Sequence, residues 1–173
     1  TTSSRVLYDL FEGLTSFDQS QKTIPGLAEK WEVSPDGKTY TFHLRSGIKF
    51  SDSSPITAED VVFSWQRLVD PKMASPYSIL ANNLVNANKI IAGKLPLDQL
   101  GVKALDAQTI QINLINPDSS FLQICAVPNV AIMSKANVTK FGQTWTNPKN
   151  IVTSGAYTLS EWVVQGHMLL TKN

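Results

Sequence analysis

A chain of 173 residues is long enough for one well-filled domain, burying about two-thirds of the surface that its extended form would expose. Its 15 Lys and Arg offset 14 Asp and Glu, and the formal charge of +1 gives no basic field to draw nucleic acid or an anionic membrane. Hydrophobic residues at 42% and charged residues at 17% are ordinary globular values, and no apolar run approaches a membrane span, so membrane insertion is not expected.

In chain order, Val6, Leu7, Leu10, Phe11 and Leu14 fall at helical spacing, with Gly13 near the expected end of a short opening helix. Pro35-Asp36-Gly37 marks a turn. After it Tyr40, Phe42 and Leu44 alternate with Thr39, Thr41 and His43, the period of a half-buried strand, with Trp31-Glu32-Val33 as its hairpin partner. Thr57 offers an N-cap oxygen to a helix whose first turn carries Glu59 and Asp60. Val61, Val62, Trp65, Leu68 and Val69 form its apolar stripe, and Asp70-Pro71 stops it. A shorter helix from Ala87 to Ala92 closes at Gly93. Val102–Leu105 and Thr109–Ile115 read as strands about the turn Asp106-Ala107-Gln108. Helices from Ser119 to Ala126 and from Lys135 to Phe141, the latter closed by Gly142, follow. Ala156–Val164, a Gln165-Gly166 turn and His167–Lys172 make a last hairpin. The predicted fold class is α+β, or mixed α/β: an antiparallel or mixed sheet with helices packed on it.

Reactive constellations are absent from the sequence. Cys125, the single cysteine, sits in the apolar run Phe121–Val127 and reads as a buried small hydrophobe. His43 and His167 stand far apart, each on a predicted strand, and no pattern of metal ligands occurs, so no metal and no cofactor are expected. Thr153-Ser154-Gly155 could form a nucleophile turn, but no motif ties a histidine to it. Glu59-Asp60 are neighbours on a helix and point in different directions, which suits helix-start electrostatics better than paired acid–base catalysis. No catalytic residue is assigned. The start Thr1-Thr2-Ser3-Ser4-Arg5 is no secretory signal, so the chain is either cytosolic or the mature or trimmed piece of an exported protein.

The segment Gly26 to Trp65 carries A-x-x-W at Ala28–Trp31, D-G-x-x-Y-x-F-x-L-R-x-G-I-K-F at Asp36–Phe50 and P-I-T-A-E-D-V-x-F-S-W at Pro55–Trp65. This order resembles the signature of the peptide and nickel solute-binding family, the receptors of ABC importers. Arg5–Leu14 is similar to the family's opening helix, and Asn150–Tyr157 to a later turn. Trp65–Pro71, Ala74–Tyr77 and Leu100–Asp106 look most like the oligopeptide receptors. Two departures touch local structure: Asp52-Ser53-Ser54-Pro55 lacks the glycine usual at its second position, and Phe50 stands where Trp is frequent.

The resemblance implies a periplasmic-binding-protein type II-like fold, in which two lobes close over a buried peptide and one carries a peripheral domain. Residues 1–173 would be that single peripheral domain of the first lobe, with flanks 1–14 and 156–173 belonging to the adjoining lobe. It implies a monomer that binds oligopeptides and delivers them to ABC permease subunits. The location implied is the periplasm, or the extracytoplasmic face through a lipid anchor. Two peptide-binding positions carry over. Tyr77 matches a tyrosine that packs against bound peptide, and Val127 a position lining a side-chain pocket where close relatives have histidine. Dipeptide, murein peptide, haem and nickel are the other ligands within the family. A peptide-interaction or chaperone module, or a hydrolase domain, is the alternative outside it.

Overall fold

The computed structural model describes residues 2–164 and 166–173. The opening helix α1 (Thr2–Leu10) is shorter than its apolar spacing predicts. The last helical bond is from the Phe11 N–H to Leu7 at 2.9 Å, and the backbone at Gly13 then runs close against a second chain segment. A Cβ on Gly13 would lie 2.1 Å from the Cys125 carbonyl oxygen. Leu14, the expected last residue of the helical stripe, instead enters the main core from an extended segment.

A hairpin of two three-residue strands, β1 (Thr15–Phe17) and β2 (Thr23–Pro25), follows. It leads into β3 (Ala28–Val33) and β4 (Thr39–Leu44), joined at the expected Pro35–Gly37 turn, where the Gly37 N–H donates to Ser34 at 2.9 Å. The long helix is α2 (Ala58–Val69), and α3 (Ala87–Ile91) is the short one before Gly93. Next come β5 (Val102–Asp106), β6 (Thr109–Asn113) and α4 (Phe121–Ile124), a single turn within the predicted span from Ser119 to Ala126. Helix α5 (Lys135–Phe141) has the predicted bounds. The last hairpin is β7 (Tyr157–Trp162) with β8 (Met168–Lys172); of its expected Gln165-Gly166 turn, Gln165 lies outside the described residues.

Four strands form one sheet in the order β3-β4-β6-β5, and every described strand pair is antiparallel. The period-two pattern of β4 and β6 is realised in register: Tyr40 sits opposite Ile112 and Phe42 opposite Ile110. Both pairs are buried on the face over which α2 lays Val61, Trp65, Leu68 and Val69, while Val62 falls at the rim of the stripe and is only half-buried. Burying each such side chain contributes about 1.5–3 kcal/mol, so this layer dominates the domain's stability. Phe121 of α4 plugs its end, with ring centroids 4.8 Å from Tyr40 and 6.2 Å from Trp65. A second, smaller cluster of Leu10, Phe11, Ala131 and Leu159 lies apart from this core and joins α1 to β7.

Thr57 caps α2 as expected, in a capping box with Asp60, whose carboxylate accepts the Thr57 N–H at 3.0 Å. The other carboxylate oxygen accepts the Lys135 N–H at 2.9 Å, so one buried carboxylate holds the first turns of both α2 and α5.

Candidate functional site

Three backbone segments cross where α1 ends, and small residues let them touch. Gly13 meets Cys125, and a Cβ on Gly155 would lie 2.6 Å from the Asp9 carbonyl oxygen. The crossing is tied by hydrogen bonds. The Gly155 N–H donates to Leu10 at 2.9 Å, the Ile132 N–H to the Glu12 carbonyl at 3.0 Å, and the Glu12 N–H to the Ser154 hydroxyl at 3.1 Å. The Ser154 hydroxyl itself donates to Ile132 at 2.8 Å, and that of Thr15 to Leu122 at 2.6 Å.

Such rigid crossings leave space between the backbones. A cavity of about 220 Å³ opens here, lined by Tyr8, Phe11, Glu12, Thr15, Ser16 and Ala126 among others. Glu12 is its one carboxylate; burial pushes its carboxyl above the ordinary value of 4.5, and the Arg45 charge pulls the other way. A second hollow of about 320 Å³ shares Tyr8 and Ser16 with the first and runs along β1 to Asp18. Asp18 fixes the β1–β2 turn by accepting the N–H groups of Ser20 and Lys22 at 2.8 and 2.9 Å.

The residues singled out from sequence are spread over the fold. Tyr77 caps the 3-10 turn Ser78–Ala81, with its N–H on the Ser75 hydroxyl at 3.2 Å, and the residue is 52% exposed. Val127 precedes the 3-10 turn Pro128–Val130, half-buried against the main core, next to the cavity-lining Ala126. Neither Tyr77 nor Val127 lines the Glu12 cavity. Cys125 is buried, and desolvation drives its thiol far above the ordinary range, so it packs as a hydrophobe. His43 in β4 and His167 just before β8 contact a glutamate each, Glu32 at 2.7 Å and Glu161 at 3.4 Å. The Ser154 hydroxyl is engaged on both sides as backbone mortar. Glu59 makes an exposed ion pair with Lys135 at 3.5 Å. Glu12 and Asp18 escaped the sequence reading. The one local signal was a carboxylate set between Phe11 and Gly13-Leu14 at a helix end.

The chain is 48% identical over 98% of its length to the periplasmic oligopeptide-binding protein OppA of Salmonella typhimurium. Among solved structures it superposes with a TM-score of 0.95 on OppA of Burkholderia pseudomallei, at 42% identity over 99% of the chain. The same score relates it to the unliganded open form of the periplasmic murein tripeptide-binding protein MppA, at 41% identity over 99% of the chain. It spans about a third of these proteins: 32% of the first, 34% of the second and 33% of the third. Residues 22–173 match the family described as bacterial extracellular solute-binding proteins, family 5 Middle. By sequence and fold alike, the chain belongs to that family of extracellular solute-binding proteins.

Proposed function

We propose that the chain is part of the substrate-binding component of an ABC importer, which binds oligopeptides in the periplasm and delivers them to the permease. The observation that carries this reading is the likeness to periplasmic oligopeptide-binding proteins along nearly the whole chain. An extended peptide can be held through its main-chain groups, as a strand is added to a sheet, while its side chains lie in roomy hydrated pockets. Main-chain groups are common to all peptides, so useful affinity and broad specificity coexist. Hinge closure then buries the ligand and creates the shape that the permease recognises.

On this reading residues 1–173 form the peripheral domain of one lobe, and flanks 1–14 and 156–173 belong to the adjoining lobe. In support of that division, Leu10 and Phe11 of the first flank share a small cluster with Leu159 of the second, with Ala131 between them, apart from the main core. Tyr77 supplies exposed aromatic area to the ligand wall, and Val127 lines a side-chain pocket. The protein acts as a monomer and carries out no catalysis. In support, Ser154 is fully engaged in backbone contacts, and each histidine is occupied by its own glutamate.

Calorimetry on the full-length protein with di- to pentapeptides, the murein tripeptide and free amino acids tests the reading. Binding of several unrelated peptides supports an oligopeptide receptor. Binding of the murein tripeptide alone would move the assignment to the narrower class that MppA represents. Binding of no peptide would overturn it.

A further inference from the structure

Between α2 and the 3-10 turn Ser78–Ala81 the chain crosses open surface. Every residue from Pro71 to Tyr77 is exposed except half-buried Ser75, so core packing does not hold this connection. Its own hydrogen bonds do. The Asp70 carboxylate accepts the Lys72 N–H at 2.9 Å, the Asp70 carbonyl the Met73 N–H at 3.0 Å, and the Pro71 carbonyl the Ala74 N–H at 3.3 Å. These turns deliver Ala74 into the left-handed region, at φ 45, where its Cβ is crowded. Asn86, at φ 68, carries a side-chain amide that donates to the Gln99 carbonyl at 2.8 Å; Ala74 has no such group. Strain of this kind persists only where the surroundings fix it, and it gathers at ligand clamps.

Ser75 is the fixed point that follows. Pro76 turns it away from helical backbone, and its hydroxyl accepts the Tyr77 N–H at 3.2 Å while its carbonyl accepts the Ser78 N–H at 3.2 Å. Past Tyr77 the chain is anchored separately: the Tyr77 carbonyl accepts the Leu80 N–H at 3.0 Å, and Ala81 is fully buried in the main core. The Ser75 hydroxyl is thus the link between a strained residue and an exposed ring.

We propose that Ser75 is a positioning residue for peptide binding: its hydroxyl closes the turn after Ala74 and holds Tyr77 on the ligand wall before the peptide arrives. The inference rests on the assignment of Tyr77 to that wall. A tyrosine whose backbone is already fixed gives up less freedom when a peptide packs on it, so the hydroxyl acts on affinity and leaves the core untouched.

Calorimetry with trialanine on the full-length protein tests this, with thermal melts alongside. Ser75→Ala keeps the wild-type melting temperature and weakens binding about threefold to tenfold, the effect of one side chain ordered on binding instead of beforehand. Ser75→Thr, which keeps the acceptor oxygen, binds as wild type does. In a Tyr77→Ala background Ser75→Ala has no further effect. Ala74→Gly, which relieves the strain that the hydroxyl opposes, restores most of the affinity lost in Ser75→Ala. Wild-type affinity in Ser75→Ala, or an equal loss with and without the Tyr77 ring, would overturn the proposal and leave the peptide reading standing. If Tyr77→Ala alone leaves affinity unchanged, the place of Tyr77 on the wall fails and Ser75 with it. If the wild type binds no peptide of the wider panel, the peptide reading itself fails.

Discussion

Trp65 is the largest side chain at the centre of the α2–sheet layer, 1% exposed and packed on Phe121, yet its Nε1 has no acceptor among the described residues. Two substitutions separate these features. Trp65→Ala removes the whole ring and leaves a cavity under α2, and should cost about 3–5 kcal/mol, as large-to-small core changes do. Trp65→Phe keeps most of the packing. Aromatic rings bury about 150–250 Å² each, so exchanging a large one for a mid-sized one gives up about 50 Å², or about 1.3 kcal/mol at about 25 cal/mol/Å². Against that loss, the exchange removes a buried donor whose unsatisfied state costs about 1–3 kcal/mol. The two effects offset, and Trp65→Phe should lie within about 1 kcal/mol of wild type. Urea unfolding followed by circular dichroism measures both, with equal m-values as the check that only stability has changed. A Trp65→Phe cost close to that of Trp65→Ala would refute the argument, because it would mean that the indole N–H stabilises the core.

Three further outcomes follow from the geometry. Ser53 occupies the left-handed region at φ 69, where a side chain costs about 1–2 kcal/mol; Ser53→Gly relieves it and, after the added flexibility of the unfolded chain, should raise stability by about 0.5–1 kcal/mol in the same unfolding assay. Gly13→Ala would set a Cβ 2.1 Å from the Cys125 carbonyl oxygen, so one backbone segment must shift, and it should cost more than about 2 kcal/mol and lower the melting temperature. The Glu12 carboxyl is raised in the folded state, so the folded protein holds that proton where the unfolded chain has released it. Stability from this group is therefore lost as pH rises above the ordinary carboxylate range. Glu12→Gln, which cannot ionise, should melt at the same temperature as wild type in acid and above it at neutral pH.

How far the sequence foretold this fold depended on element length and on locality. Strands β4 and β6 each alternate long enough for the period of two to declare itself, and α2 shows two full turns of apolar stripe, so the central layer is legible apart from the end of β6, two residues short of its expected span, and Val62 at the rim. Strands β1 and β2 hold three residues each, too few to display any period, and passed unnoticed. The end of α1 is not legible locally: Leu14 continues the helical spacing, but it packs into the main core from an extended segment after the helix has ended at Leu10. The second role of Asp60 in the Thr57 capping box also involves a distant element, since its other oxygen accepts from the start of α5. Tyr77 and Val127 came from resemblance alone, because an exposed tyrosine in a turn and a half-buried valine have no pattern of their own. Glu12 gained meaning only once Tyr8, Ser16 and Ala126 were folded around it.

The central claim is that these residues form one wall of a two-walled peptide clamp. The most direct measurement compares tripeptide binding by the full-length protein with binding by residues 1–173 alone, in parallel calorimetric titrations. The account predicts micromolar affinity, about −8 kcal/mol, for the full-length protein and millimolar or weaker, about −4 kcal/mol, for the isolated segment, because a single wall leaves the ligand wet. It further predicts that Tyr77→Ala weakens binding by the full-length protein. Micromolar binding by residues 1–173, or full-length affinity indifferent to Tyr77→Ala, would contradict it.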